Sequence, residues 1–150
     1  MSNNDVARAI LDTVAYMVLA TADADGVPWA SPVWFATDGY HHLYWISAPD
    51  ARHSRNIAAR GEVGIVVFDS TTAPATRQAL YMQATAERVD DPVAIDHGVE
   101  MFTLASVDQG LGELAIDEVT NGARFQLYHA CAHDHWVLDP DHDVRVPVQP

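Results

Sequence analysis

The sequence predicts a mainly β fold: a small antiparallel β-barrel with helices added at its corners. Two aromatic-rich, β-prone runs, Val27 to Thr37 and Leu43 to Ser47, are joined by a tight Asp38-Gly39 turn. The run from Leu80 to Val89 alternates, with Leu80, Met82, Ala84 and Ala86 on one side and Gln83, Thr85 and Glu87 on the other. Helical signals fall between groups of strands rather than after each strand, which disfavours an alternating α/β sheet.

The elements follow in order. Asp5 to Val14 reads as a short helix, because Val6, Ile10 and Val14 recur at four-residue spacing on one face. Tyr16 to Thr21 is a strand, closed by the Asp23-Ala24-Asp25-Gly26 turn. In the strand from Val27 to Thr37, Val27, Trp29, Ser31, Val33 and Phe35 share a face, with Pro28 and Pro32 on the other. Proline donates nothing to a ladder, so this strand is expected at a sheet edge, or broken near Ser31-Pro32 with backbone left free for a ligand. A short helix opens after Pro49, with Asp50 expected as its cap, and ends at Gly61. Glu62 to Asp69 is apolar enough for a central strand, and Ser70 to Thr76 is a polar loop. Asp91-Pro92 opens a helix that buries Ile95, Val99 and Phe102 and stops at Gly110 and Gly112. A helical piece at Ile116 to Val119 precedes strands at Phe125 to Ala132 and Trp136 to Leu138.

Length and composition suit one domain, residues 1–150, with 49% apolar residues and no repeats. The formal charge of −13 excludes nucleic acid and anionic membranes as partners, since both need basic surface. Lysine is absent, which fits either salt adaptation or a coding bias toward arginine. The apolar runs are too short to span a bilayer, the N-terminus lacks the features of a secretory signal, and Cys131 is the one cysteine. The expected location is therefore cytoplasmic.

Three of the eight arginines, Arg52, Arg55 and Arg60, fall within nine residues at the second helix. Such positive charge beside a helix N-terminus suits a phosphate, although a solvated face has the same composition. Arg60 belongs to the favourable C-terminal end. His129, Cys131, His133 and His135 would share one face of an unbroken strand, as zinc or copper requires. A bend at Ala132 to Asp134, or solvated rim histidines, explains the same spacing, and no metal is expected. Nucleophile elbows, H-E-x-x-H, Walker loops and G-x-G-x-x-G are all absent, and no residues stand out as catalytic.

The segments LATADADGVPWASPVWFA, LYWISAPDARHSRNIAARGEVGIVV and LYMQATAERVDDP, within Tyr16 to Pro92, resemble the FMN-binding split-barrel family that includes pyridoxamine 5′-phosphate oxidase. The resemblance implies a six-stranded antiparallel barrel that forms a homodimer, with FMN in clefts between subunits. It places Ser31, Val33, Trp34 and Phe35 along the isoalloxazine ring, and Ile46 and Ser47 at the ring edge and tail. Arg52 and His53 fall where the family grips the phosphate, Arg55 assists, and Gln78 is offered by the second subunit. His53 stands in place of a usual lysine, and the C-terminal WVLDPDHDVRVPVQP lacks the Arg-x-His that grips vitamin B6 substrates. The implied function is an FMN-dependent oxidoreductase acting on some other small molecule. Relatives of the same fold include deazaflavin-dependent reductases and haem binders, and the alternative from a different class is a non-catalytic flavin carrier or sensor.

Overall fold

A computed structural model describes residues 1–150. Helix α1 (Asn3–Thr13) starts two residues earlier than the periodicity indicates, because Ser2 caps it. Ser2 Oγ accepts from the Asp5 amide at 3.2 Å, and Asp5 Oδ2 accepts from the Ser2 amide at 3.0 Å. The helix buries Ala7, Ile10 and Leu11, while Val6 and Val14 pack at the margin of the core.

Strands β1 (Tyr16–Ala22), β2 (Pro28–Trp34), β3 (Ala36–Asp38) and β4 (His42–Ser47) precede helix α2 (Arg52–Ala59). Then come β5 (Glu62–Phe68), β6 (Ala79–Arg88), helix α3 (Pro92–Asp108), β7 (Gln126–Asp139) and β8 (Val144–Val148). Single helical turns occupy Pro74–Thr76 and Ile116–Glu118. Every pairing is antiparallel, in the order β2-β1-β5-β6-β7-β4-β3, with β8 beside the far half of β7.

Eight strands replace the six expected. The extra two have simple origins. The run from Val27 to Thr37 is not one strand: it bends at buried Phe35 into β2 and β3, which form opposite margins of the sheet. Chain continuity therefore curls the sheet on itself. The other addition is β8. The two C-terminal strands expected before it are one, because β7 runs unbroken through a bulge where Gln83 faces Asp134 and Ala84 faces Ala132. His133 is the extra residue.

The interior face is read from alternation. Met17 and Leu19 of β1, Val63, Ile65 and Val67 of β5, and Leu80, Met82, Ala84 and Ala86 of β6 point inward. They meet Leu43 and Trp45 of β4 and Tyr128, Ala130 and Ala132 of β7. The central position of β5, between β1 and β6, agrees with its apolar sequence. No helix is long and apolar enough to cross a membrane.

Helix α3, capped by Asp91 through the Ala94 amide at 3.0 Å, lies over β3, β4 and β7. Gly98 permits that approach: a Cβ there would sit 2.5 Å from Leu127 Cδ2 and 3.0 Å from Tyr44 Cδ1. Both neighbours are buried. Overpacking of this kind costs about 1–3 kcal/mol, more than the ~1 kcal/mol a mid-helix alanine gains over glycine. Gly98→Ala is expected to lower the denaturation midpoint, and an unchanged or raised midpoint would show that α3 is not seated this tightly.

Candidate functional site

Strand β4 ends at buried Ser47, and the chain turns through Ala48–Ala51 into α2, with the Ala51 amide bonded to Ala48 O at 3.1 Å. Asp50 is not the cap. The cap position is Ala51, which has no side-chain oxygen to offer. The first helical bond runs from the Arg55 amide to Ala51 O at 3.0 Å, leaving the amides of Arg52, His53 and Ser54 without helical acceptors. No acidic residue lies in that first turn. The Asp50 carboxylate instead pairs with Arg124 at 2.9 Å, and its carbonyl accepts from the Arg55 guanidinium.

Four side chains define the corner. Exposed Arg52 lays its guanidinium 4.5 Å from the centroid of the Trp29 ring and has no carboxylate partner. His53 Nε2 and Ser47 Oγ share a proton at 2.8 Å. Ser54 is 2% exposed, and its hydroxyl has no hydrogen-bond partner. Asn56 Nδ2 donates to Thr21 Oγ1 at 3.0 Å, and Arg60 donates to Ala24 O at 3.2 Å, so α2 is tied to the end of β1 and to the β1–β2 turn.

Beside this corner runs the free margin of β2. Two bonds, Asp23 N–H to Val27 O at 3.1 Å and Phe35 N–H to Ala15 O at 3.2 Å, fix which residues face β1. Bonded pairs alternate along an antiparallel ladder, so Trp29, Ser31 and Val33 also face β1. Pro28, Ala30, Pro32 and Trp34 therefore direct their backbone groups to the open edge. The prolines sit where no donor is required. β2 approaches β4 without a ladder between them, and this gap is the split in the barrel.

The expected ring-side residues separate on this basis. Val33 and Phe35 put their side chains into the core, and Ser31 is half-buried. Trp34 packs edge-on against Phe102 of α3 at 4.8 Å, and Ile46 joins the apolar cluster under α3. Among these, Trp34 and Ile46 direct their backbone groups to the split, from β2 and β4 respectively; Ala30 and Pro32, which sequence reasoning did not select, share the position of Trp34 on β2. The parity of the two prolines was the available signal. Gln78 lies exposed at the far end of the barrel from Ser47, bordering a recess of about 540 Å³ with Arg77, Tyr81 and Arg145. Arg145 covers the Tyr81 ring at 4.8 Å.

The C-terminal histidines do not form the row that strict alternation along an unbroken strand would give. The bulge at His133 turns His135 inward, where it is 3% exposed and its Nε2–H donates to Tyr40 O at 3.2 Å. No three histidine, cysteine or acidic side chains converge on a metal-sized point. His129 instead meets His42, with His42 Nδ1 and His129 Nε2 2.9 Å apart.

The Pyridoxamine 5′-phosphate oxidase family model matches residues 4–103. The chain belongs to this family. None of the curated proteins matches the sequence at a significant level. Among solved structures, the heme storage protein HutZ from Vibrio cholerae superposes with a TM-score of 0.68 at 22% identity, over 89% of this chain and 92% of its own. A heme binding protein from Mycobacterium smegmatis gives 0.72 at 19% identity, over 99% of this chain but 58% of its own. An F420 reductase gives 0.61 at 25% identity, over 85% of this chain and 94% of its own. The first two likenesses establish the fold alone.

Burial holds the imidazoles of His53, His129 and His135 below the ordinary value of 6.5. For His129, the neighbouring His42 adds to the effect. Each group binds fewer protons folded than unfolded, so its stabilisation is complete above 6.5 and is lost as pH falls toward the folded values. The denaturation midpoint is expected to drop as pH falls from neutral through 6.5. His135→Gln should flatten that drop; an equally steep profile would mean His135 does not contribute to it.

Proposed function

We propose that the protein is an FMN-binding flavoprotein, an oxidoreductase acting on a small molecule as a homodimer. The observation that carries this reading is the uncapped first turn of α2 beside Arg52, the one arginine of the corner whose guanidinium has neither an ion-pair nor a hydrogen-bond partner. Three unpaired amides, a positive helix end and a guanidinium are complementary to a phosphate dianion.

Arg52 and the α2 amides would hold the phosphate, with His53 and Ser47 as a neutral hydrogen-bonding pair beside it. The free edge groups of Ala30, Pro32 and Trp34 suit the polar rim of a flat heterocycle, which needs both donors and acceptors. FMN supplies hydride or single-electron chemistry when bound, and the protein's part is to position it and exclude water.

A second subunit completes the reading. Val18 and Val66 face each other across β1 and β5, pointing away from the core beside Tyr16, Ala20, Gly64 and exposed Phe68. This apolar face continues into the Gln78 recess, of which Val66 and Phe68 are walls. A partner covering the face would bury both and bring its own Gln78 toward the cleft. A stable interface needs about 800 Å² from each side.

The likeness to an F420 reductase favours a deazaflavin as the second reading. Its longer anionic tail asks for more free cations than this corner offers, since Arg55 and Arg124 are both engaged by Asp50.

Arg52→Ala is expected to weaken FMN binding about tenfold or more in a fluorescence titration, because a hydrogen bond to a charged group contributes roughly 1.5–3 kcal/mol. Riboflavin, lacking the phosphate, should bind the wild type weakly and be indifferent to the substitution. Equal FMN affinity in the two proteins would remove Arg52 from the site. Val66→Glu is expected to shift the protein to monomer in analytical ultracentrifugation; a monomeric wild type would exclude the dimer.

A further inference from the structure

Beneath α3, on the outer surface of the barrel, lies a histidine cluster that the flavin reading leaves unused. The rings of His42 on β4 and His129 on β7 stack with centroids 5.2 Å apart. His42 Nδ1 and His129 Nε2 are 2.9 Å from each other. Two imidazole nitrogens come this close by sharing a proton or by sharing a cation. In the β4–β7–β6 ladder, Cys131 is directly opposite His42, and Glu87 is directly opposite His129. Because Leu43, Ala86 and Ala130 point into the core, these four side chains all point outward. A cavity of about 410 Å³, lined also by Asp38, Tyr44 and His97, opens over the histidine pair.

We propose that this is a transition-metal site, in which His42 Nδ1, His129 Nε2 and Cys131 Sγ bind a zinc-class divalent ion, with water in the fourth position. Zinc–nitrogen bonds of about 2.0–2.1 Å at a tetrahedral angle separate two nitrogens by roughly 3.3 Å. The pair therefore opens by a few tenths of an ångström. As the side chains stand, no three ligating groups meet at one point. Cys131 is exposed and unbonded, and directly opposed strand residues have Cβ atoms about 4.5–5.5 Å apart, so rotation about its Cα–Cβ bond completes the set. Glu87 adds negative charge beside the ion without being needed as a ligand. Two imidazoles, a thiolate and an open position form a ligand set that zinc accepts readily. The site is independent of the flavin corner.

The test is a zinc titration by calorimetry on the full chain after chelator treatment, with cobalt substitution as a spectroscopic probe. One ion per chain is expected. His42→Ala and His129→Ala should each weaken binding about tenfold or more, since even outer-shell partners cost that much. His42→Gln, which keeps the volume of the side chain, separates a lost ligand from a folding defect, with circular dichroism as the control. Cobalt should show a thiolate charge-transfer band that disappears in Cys131→Ser. Exposed His133 and His142 are engaged by Asp134 and Asp139, and replacing both should leave the titration unchanged. Equal zinc affinity in wild type and His42→Gln would overturn the site. So would loss of binding in the His133/His142 double variant, or a cobalt complex without the thiolate band.

Discussion

Both margins of the sheet are formed by one continuous stretch of chain, and the rest of the structure depends on that constraint. The bend at Phe35 sends β2 to one edge and β3 to the other, so the sheet must curl until its ends approach. Closure by covalent continuity leaves a gap where no ladder forms, between β2 and the last residues of β4. Two consequences follow. The interior is sealed by apolar side chains from every strand, with Phe35 itself buried at the bend. A row of backbone donors and acceptors also remains unpaired along β2, in a position that α2 overlooks.

That position gives the charge distribution its meaning. A chain with 21 acidic and eight basic residues has little positive potential to use. Most of its arginines are tied to nearby carboxylates or carbonyls, as Arg88 is to Asp90 and Arg145 to Asp143. Arg52 rests on an aromatic ring, which orients a guanidinium without neutralising it. The helix dipole and unpaired amides beside it reinforce the same potential. In an otherwise negative molecule, positive potential is concentrated at this corner.

Much of the fold was legible from residues whose physics is local. The alternation from Leu80 to Val89, the apolar β5, the Asp91-Pro92 helix start and the edge placement implied by Pro28 and Pro32 all reappear. The misreadings share a cause. Asp50 carries a good capping side chain, yet Arg124, 74 residues away, takes its carboxylate. Ala132 to Asp134 resembled a break, but β6 holds β7 continuous across the bulge. The family, now established by the match over residues 4–103, was likewise visible in three short segments.

The candidate site divides along the same line. By itself the sequence determined which residue types are available: arginines gathered at one helix start, prolines spaced four apart on one strand, histidines on alternate positions. These follow from composition and from periods of two and 3.6 residues, which every segment carries independently. Tertiary structure alone decided which of them meet. Arg52 lies on Trp29, His42 lies against His129, and Gln78 sits far from Ser47, because strand register and the bend at Phe35 bring together residues that are distant in sequence. No local preference encodes such meetings, which arise only once the core closes.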